Sequence, residues 1–276
     1  VQVMISCTVD DVTVRLKAPH DLSFLARWGT AFWVLDDQDS GNLCFGVTGA
    51  QGRLFVKYAG AEPVRYEGVP ADAISRAREA VRVYQTLDHP TLVRIREAVE
   101  LDHGFAMIFD WTDSVPLGRQ YGQSHRVREL SLQQRIDAVA QIYDFAGHAA
   151  ALGWVAVDLY DGSVLVDLVT GAVTLCDLDS YEPAPIINRM GRMWGSTRFM
   201  APEEFELGAT IDQITNQVAL GALAHTFLGD DATKDRDAWV GDEELFAIAG
   251  RALEADRNRR WPSVAALADA WRRASA

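Results

Sequence analysis

Cysteine is scarce. The 276-residue chain carries three, Cys7, Cys44 and Cys176, an odd number with no regular spacing. That excludes a disulfide framework, and the lack of any CxxC or His/Cys cluster excludes a ribbon-type zinc site. Such usage fits a reducing compartment, and cytoplasmic location is the expectation. Long apolar runs are also missing: none approaches the roughly 18–20 residues that span a bilayer. The start, VQVMISCTVDDV, lacks a basic stretch followed by an apolar one, so no signal peptide is expected. Basic charge is in deficit, with 26 Lys and Arg against 39 Asp and Glu for a net charge of −13. This balance argues against nucleic acid and against an anionic membrane surface as partners. There is no internal repeat and no low-complexity tract. No feature of the sequence sets an oligomeric state.

What is present changes character along the chain. Residues 1–70 alternate apolar and polar, as in Val12-Thr-Val-Arg-Leu16, Ala31-Phe-Trp-Val-Leu35, Leu43-Cys-Phe-Gly-Val47 and Leu54-Phe-Val-Lys-Tyr58. That period predicts strands, separated by turns at Asp39-Ser-Gly41 and Gly49-Ala-Gln-Gly52. Ile74, Ala77, Val81 and Tyr84 predict a helix from Ala71 to Leu87, ended by His89-Pro90. Strands follow near Leu92–Val99 and Gly104–Phe109. Beyond residue 112 the pattern is mainly helical. Ser131-Leu-Gln-Gln134 reads as a capping box opening a helix to about Leu152. Further helices fit Ile211–Leu228, Asp242–Ala255 and Pro262–Ala274. Two short strand-like runs, VAVDLYDGSVLVD from Val155 and AVTLCD from Ala172, interrupt them. The stretch 178–210 is long for a structureless loop, and loops of that length are usually functional or disordered.

Several residues invite a chemical reading beside a plain one. Lys57 is either an outward strand lysine or, if buried, a cation that needs an anionic partner such as phosphate. Gly41 and Gly46 bracket a hairpin, which glycine serves either as an ordinary turn or as a backbone able to approach phosphate. Asp158 and Asp177 each end a short apolar run with a hairpin between them. They are either acids closing turns or two carboxylates of one cleft. In the second case one would accept a hydroxyl proton and the other would hold Mg²⁺, with Asp179 as a third acid.

The order of these residues resembles the protein-kinase superfamily, from about residue 32 to 273. Phe55-Val-Lys57 is similar to the strand bearing the nucleotide-phosphate lysine. Gln85-Thr-Leu-Asp-His-Pro-Thr-Leu-Val93 resembles the end of the N-lobe helix and the strand after it, and Met107-Ile-Phe-Asp-Trp111 the strand entering the hinge. Asp158 falls at the catalytic aspartate and Asp177-Leu-Asp179 at the metal-binding triplet. Gly195-Ser-Thr-Arg-Phe-Met-Ala-Pro-Glu203-Glu resembles the end of an activation segment, and Arg260 the arginine that pairs with its glutamate, here Glu203. The features Asp-Leu-Tyr-Asp-Gly and Gly-Arg-Met-Trp-Gly-Ser resemble a divergent bacterial branch.

The resemblance implies an α+β, bilobal fold. Residues 1–30 would add extra strands, 31–111 would form a β-rich N-lobe with one helix, and 112–276 a mainly helical C-lobe. It implies ATP- and Mg²⁺-dependent transfer of the γ-phosphate to a hydroxyl, as in Ser/Thr protein kinases. Asp158 would take the hydroxyl proton, and Asp177 would hold the metal with Ser163 and Asp179. Lys57 would bind the α/β-phosphates with Glu79 as its partner. Gly41, Gly46, Phe109, Asp110 and Trp111 would line the nucleotide. The sequence also departs from the family pattern. Ala156-Val157 replace the residues before the catalytic aspartate, and Tyr160 stands for a lysine. Ser163 replaces the metal-binding asparagine, Leu43 a glycine, and Asn216 a structural aspartate. A small-molecule kinase and a nucleotide-binding pseudokinase scaffold are therefore the alternatives.

Overall fold

The computed structural model describes residues 4–275, which form an α+β chain with five α-helices among those residues. It divides into two compact units, one of residues up to Asp88 with Val93–Thr112, the other of His89–Leu92 with Asp113 onward.

The first unit opens with a hairpin of β1 (Ile5–Val9) and β2 (Val12–Leu16). Alternation decides its orientation: Val12, Val14 and Leu16 are buried while Thr13 and Arg15 face out. Three strands follow, β3 (Thr30–Leu35), β4 (Asn42–Gly49) and β5 (Gly52–Ala59). Next comes α1 (Pro70–Thr86), which has its proline in the first turn, where a missing N–H costs nothing. β6 (Ile95–Leu101) and β7 (Gly104–Asp110) complete an antiparallel sheet of order β3-β4-β5-β7-β6. One sheet face carries Leu43, Phe45 and Val47 of β4, Leu54, Val56 and Tyr58 of β5, and Ile108 of β7, packed with the inward side chains of β2. The opposite face carries α1 and, at β5, Phe55 and Lys57. Leu43 is thus a core residue, with no exposed surface.

The second unit comprises β8 (Val115–Pro116), α2 (Leu132–Ala151), β9 (Trp154–Ala156), β10 (Val164–Val166) and β11 (Val173–Leu175). These are followed by β12 (Tyr181–Pro183), β13 (Ile186–Ile187), β14 (Thr210–Ile211), α3 (Gln213–Leu228), α4 (Glu243–Ala252) and α5 (Val264–Ala274). The capping box at Ser131 forms as the sequence predicts, with the Gln134 N–H donating to Ser131 Oγ at 3.2 Å and the Ser131 N–H donating to Gln134 Oε1 at 2.9 Å. α3 is buried on almost every side, as a central helix among α2, α4 and α5 must be. Its polar Gln217 is fully matched by the Trp261 backbone, donating to the carbonyl at 2.8 Å and accepting from the N–H at 2.9 Å. Trp271 of α5 and Tyr143 of α2 donate in turn to the carbonyls of Ile136 and Leu220, both at 3.2 Å.

Two stretches differ from the sequence expectation. Leu92 does not join β6; its backbone bridges to Leu175 instead, so the strand starts at Ile95. The stretch 178–210 is not structureless. It contains β12, β13 and a 3₁₀ turn at Pro202–Phe205. The buried Asn188 amide holds it together, donating to the carbonyls of Gly191, Glu203 and Glu204 and accepting from the N–H groups of Met190 and Gly191.

Candidate functional site

In the first unit, Lys57 is only 7% exposed, which excludes the outward-facing strand lysine. Register places it between Cys44 and Met107, and places Phe55 between Gly46 and Phe109. Aromatic rings crowd the same face. Phe55 packs 6.3 Å from Phe109 and 6.1 Å from Trp33, and Tyr84 of α1 lies 5.0 Å from Phe109. A bulge in β3 between Ala31 and Trp33 sets both Phe32 and Trp33 beside Trp111, at 4.9 and 6.0 Å. Arg53 lies over the Trp111 ring, 5.7 Å from its centroid.

This crowding explains the two glycines. A Cβ at Gly46 would sit 2.7 Å from the rings of Phe32 and Trp111, and one at Gly41, where φ is +83°, would sit 2.8 Å from the Tyr66 ring. Both are therefore required by packing within the unit. The loop between β3 and β4 is pinned at each end. Arg15 grips Asp36 through its backbone and guanidinium, and Arg76 donates to the Ser40 carbonyl at 2.9 Å.

Glu79 does not take the place expected for it. The inward face of α1 is Ala73, Ala77, Ala80 and Tyr84. Residue 79 is two positions from Ala77, or about 200° around the helix, so Glu79 is exposed. Among the described residues it forms no ion pair with Lys57 or any other cation. Asp110 has its carboxylate paired with Arg96 and its N–H donating to the Arg94 carbonyl at 3.1 Å.

In the second unit, β9 and β10 flank the loop 157–163, and β11 leads into Asp177. Asp158 and Asp177 both have left-handed backbones, with φ of +62° and +63°. Aspartate tolerates this region better than most residues, but it still costs about 1–3 kcal/mol at each position. Fixed neighbours hold both. The Ala156 N–H donates to Asn216 Oδ1 at 2.9 Å and Asn216 Nδ2 donates back to the Ala156 carbonyl at 2.6 Å, so one side chain satisfies both backbone groups of the residue two before Asp158. The Cys176 N–H donates to the Ser163 carbonyl at 3.0 Å, extending the β10–β11 register to the residue before Asp177.

Both aspartates act electrostatically on Tyr160. Burial first, then the charges of Asp177 and Asp158, push its phenol above the ordinary range. Ser163, between them in sequence, is buried, and its Oγ has no hydrogen-bond partner. Asp177 itself is exposed and Asp179 half-buried.

Asp161 is fully buried. Arg198, from the Gly195–Phe199 segment, donates to its Oδ2 at 2.8 Å and to Asp231 at 2.5 Å; Arg119 also reaches Asp231. Burial raises the Asp161 carboxyl despite this arginine. The same segment brings Gly195 so close that a Cβ there would lie 3.5 Å from Asp158 Oδ1. A water-sized cavity of about 10 Å³ opens there, with Asp158, Ser196, Glu204 and Asn216 in its wall. Glu204 is pushed up to about 7 by burial, with Glu203 and Asp158 adding like charge. Glu203 makes a buried bidentate pair with Arg260, at 2.6 and 3.0 Å, across 57 residues of sequence.

Asp158, Asp177, Ser163 and Asp179 thus come from one compact stretch. The Arg198–Asp231–Arg119 chain carried no signal in the sequence, because its members are isolated charges far apart. Asn216 was marked only as a departure from a pattern. Compared with known proteins, the chain matches no family model and no curated protein at a significant level.

No group of three or more His, Cys, Asp or Glu among the described residues could cage a metal. Mg²⁺ does not require such a group, because it keeps several waters and is usually held by one or two carboxylates plus substrate phosphates. The donors at hand are the Asp177 carboxylate and the unpartnered, buried Ser163 hydroxyl, an oxygen-only set of the kind a hard cation takes.

Proposed function

We propose that the chain is a phosphotransferase of the protein-kinase type, transferring the γ-phosphate of ATP to a hydroxyl, with Ser or Thr of a protein as acceptor. The observation that carries this reading is the backbone that Asp158 and Asp177 share, both left-handed at the ends of short strands, with the buried, unpartnered Ser163 hydroxyl between them in sequence and both charges acting on Tyr160. Two carboxylates held in this way can divide the work of phosphoryl transfer. Asp158 accepts the hydroxyl proton at its carboxylate and orients the attacking oxygen. Asp177 and Ser163 would hold Mg²⁺, which when bound neutralises charge on the phosphate oxygens; Asp179 lies two residues on. Within the first unit, Lys57 would bind the nucleotide α/β-phosphates, and the apolar faces of Phe55, Phe109 and Trp111 offer a stacking surface for the base. The buried Glu203–Arg260 pair supports the same reading, because it joins the two segments that the family resemblance singles out.

A second reading, a nucleotide-binding scaffold without transfer activity, is favoured by one observation: Glu79 is exposed and does not pair with Lys57. Binding separates nucleotide recognition from chemistry. Mg²⁺–ATP is expected to raise the melting temperature of the protein. Lys57→Met should lower the shift with or without metal, and Asp177→Asn should remove only its metal-dependent part. No shift with any nucleotide would rule out both readings.

A further inference from the structure

A second cavity lies wholly within the second unit and takes no part in the proposed chemistry. It measures about 530 Å³ and is walled by residues 119–135 on one side and 226–240 on the other. That is well inside the roughly 300–1,000 Å³ typical of ligand pockets. Its charge is opposite to that of the chain as a whole. Arg119, Arg128 and Arg135 line it, with the exposed His125 beside them.

The two acids in the wall are already engaged. Asp231 accepts from Arg119, Arg198 and Thr226, and Asp230 accepts from Arg119 and the Ala232 N–H. Arg128 and Arg135 have no carboxylate partner among the described residues. Arg135 is held in place by donating to the Leu130 carbonyl at 3.1 Å. Arg128 and Arg135 both line this cavity, and burial and then the positive charge of Arg128 depress the proton affinity of Arg135. Like charges gathered in a half-enclosed cavity are unfavourable unless an anion joins them.

We propose that this cavity binds a phosphate monoester carried on a peptide side chain. Arginine is the side chain suited to phosphate, because its planar fork offers paired N–H donors to two oxygens at once. The volume exceeds what a phosphate alone would fill. The wall also carries apolar side chains, among them the exposed Val240, which suit the residues flanking a phosphorylated one. Arg119 and Arg198 share Asp231, so the wall and the 157–163 loop are joined by one chain of ion pairs.

The probe is a short fluorescein-labelled peptide with one central phosphoserine, compared with its unphosphorylated twin by fluorescence anisotropy in the full chain. This readout does not depend on phosphotransfer, so it stands or falls apart from the function proposed above. The phosphopeptide should bind saturably and its twin at least about tenfold more weakly, as expected for loss of charge-assisted hydrogen bonds. Arg128→Gln, at an exposed position and with an unchanged melting temperature, should weaken binding about tenfold. Arg128→Lys should recover only part of the loss. Inorganic phosphate is the competing probe. Displacement of the peptide at phosphate concentrations near the peptide's own Kd would overturn the peptide assignment in favour of free phosphate. Equal binding of both peptides, or unchanged binding in both Arg128→Gln and Arg135→Gln, would overturn the site.

Discussion

Replacing Glu203 by leucine is expected to destabilise the protein strongly, and the structure gives the size. Glu203 meets Arg260 through two hydrogen bonds, with the arginine side chain at 0% exposure and the glutamate at 8%. Removing one member of a buried pair typically costs about 3–5 kcal/mol, because the other charge stays buried without its partner. The two single variants are not equivalent. Arginine cannot shed its charge, whereas a buried carboxylate can take up a proton. Glu203→Leu should therefore be worse than Arg260→Met, although the latter also frees the carbonyls of Glu254 and Ile214. The double variant should lie closer to wild type than Glu203→Leu alone. Thermal unfolding followed by circular dichroism reads this directly, and for a protein of this size the loss corresponds to a fall of about 6–20 °C.

The pH dependence has a definite sign. Burial alone would raise the Glu203 carboxyl, but the hydrogen bonds and charge of Arg260 bring it below the ordinary value of 4.5. Its stabilising contribution is thus complete above 4.5 and disappears as pH falls through the lower, folded-state value. The gap between wild type and Glu203→Leu should narrow only on that acid side. Arg78 and Glu100 form a similar but exposed bidentate pair, and Glu100→Ala serves as the control. A Glu203→Leu loss no larger than that of Glu100→Ala would mean that burial adds nothing to the cost of breaking the Glu203–Arg260 pair.

Other expectations follow from the same physics. Glu204 is pushed up to about 7 by burial, so its protonated form is favoured in the fold. Stability should fall as pH rises from 4.5 through 7, by at most about 3 kcal/mol, and Glu204→Gln should flatten that slope in melting curves taken between those limits. Asn216→Ala removes both bonds to Ala156 and should cost about 1–3 kcal/mol in denaturant unfolding. Asn216→Asp keeps the acceptor for the Ala156 N–H and loses the donor to its carbonyl, so it should cost less; equal costs would mean that the bond from the Ala156 N–H is idle. Ser163→Asn offers Mg²⁺ an amide oxygen in place of a hydroxyl and should strengthen the metal-dependent part of the nucleotide thermal shift. A weaker shift would take Ser163 out of the metal site.

Much of the architecture was legible because it rests on short-range rules. The capping box at Ser131, the proline at the start of α1 and the alternation of β2, β4 and β5 each fix an element locally, and the elements appear within a few residues of where those rules put them. The path of the chain from Leu178 to Thr210 was not legible. It depends on the buried Asn188 amide gathering carbonyls up to 16 residues away, and no periodicity announces such a contact. The acids were legible as residues but not in their engagements. Asp161 reads in the sequence as one more turn acid, yet Arg198 holds one of its two oxygens from 37 residues away. Glu79 fell near the expected position, but helical phase turns it outward. The two glycines read in the sequence as turn or phosphate-approach positions, whereas the structure shows rings crowding both: Tyr66 at Gly41, and at Gly46 Phe32 and Trp111, which the bulge in β3 brings together.

Asp158 is proposed to take the hydroxyl proton in phosphoryl transfer. Incubation with γ-labelled ATP and Mg²⁺, alone and with a cell extract, should place label on a Ser or Thr hydroxyl. Asp158→Asn should lower the rate at least about a hundredfold, as for loss of a general base, while leaving Mg²⁺–ATP binding in place. Label transfer indifferent to Asp158→Asn, or none from a wild-type protein that binds Mg²⁺–ATP, would contradict the account.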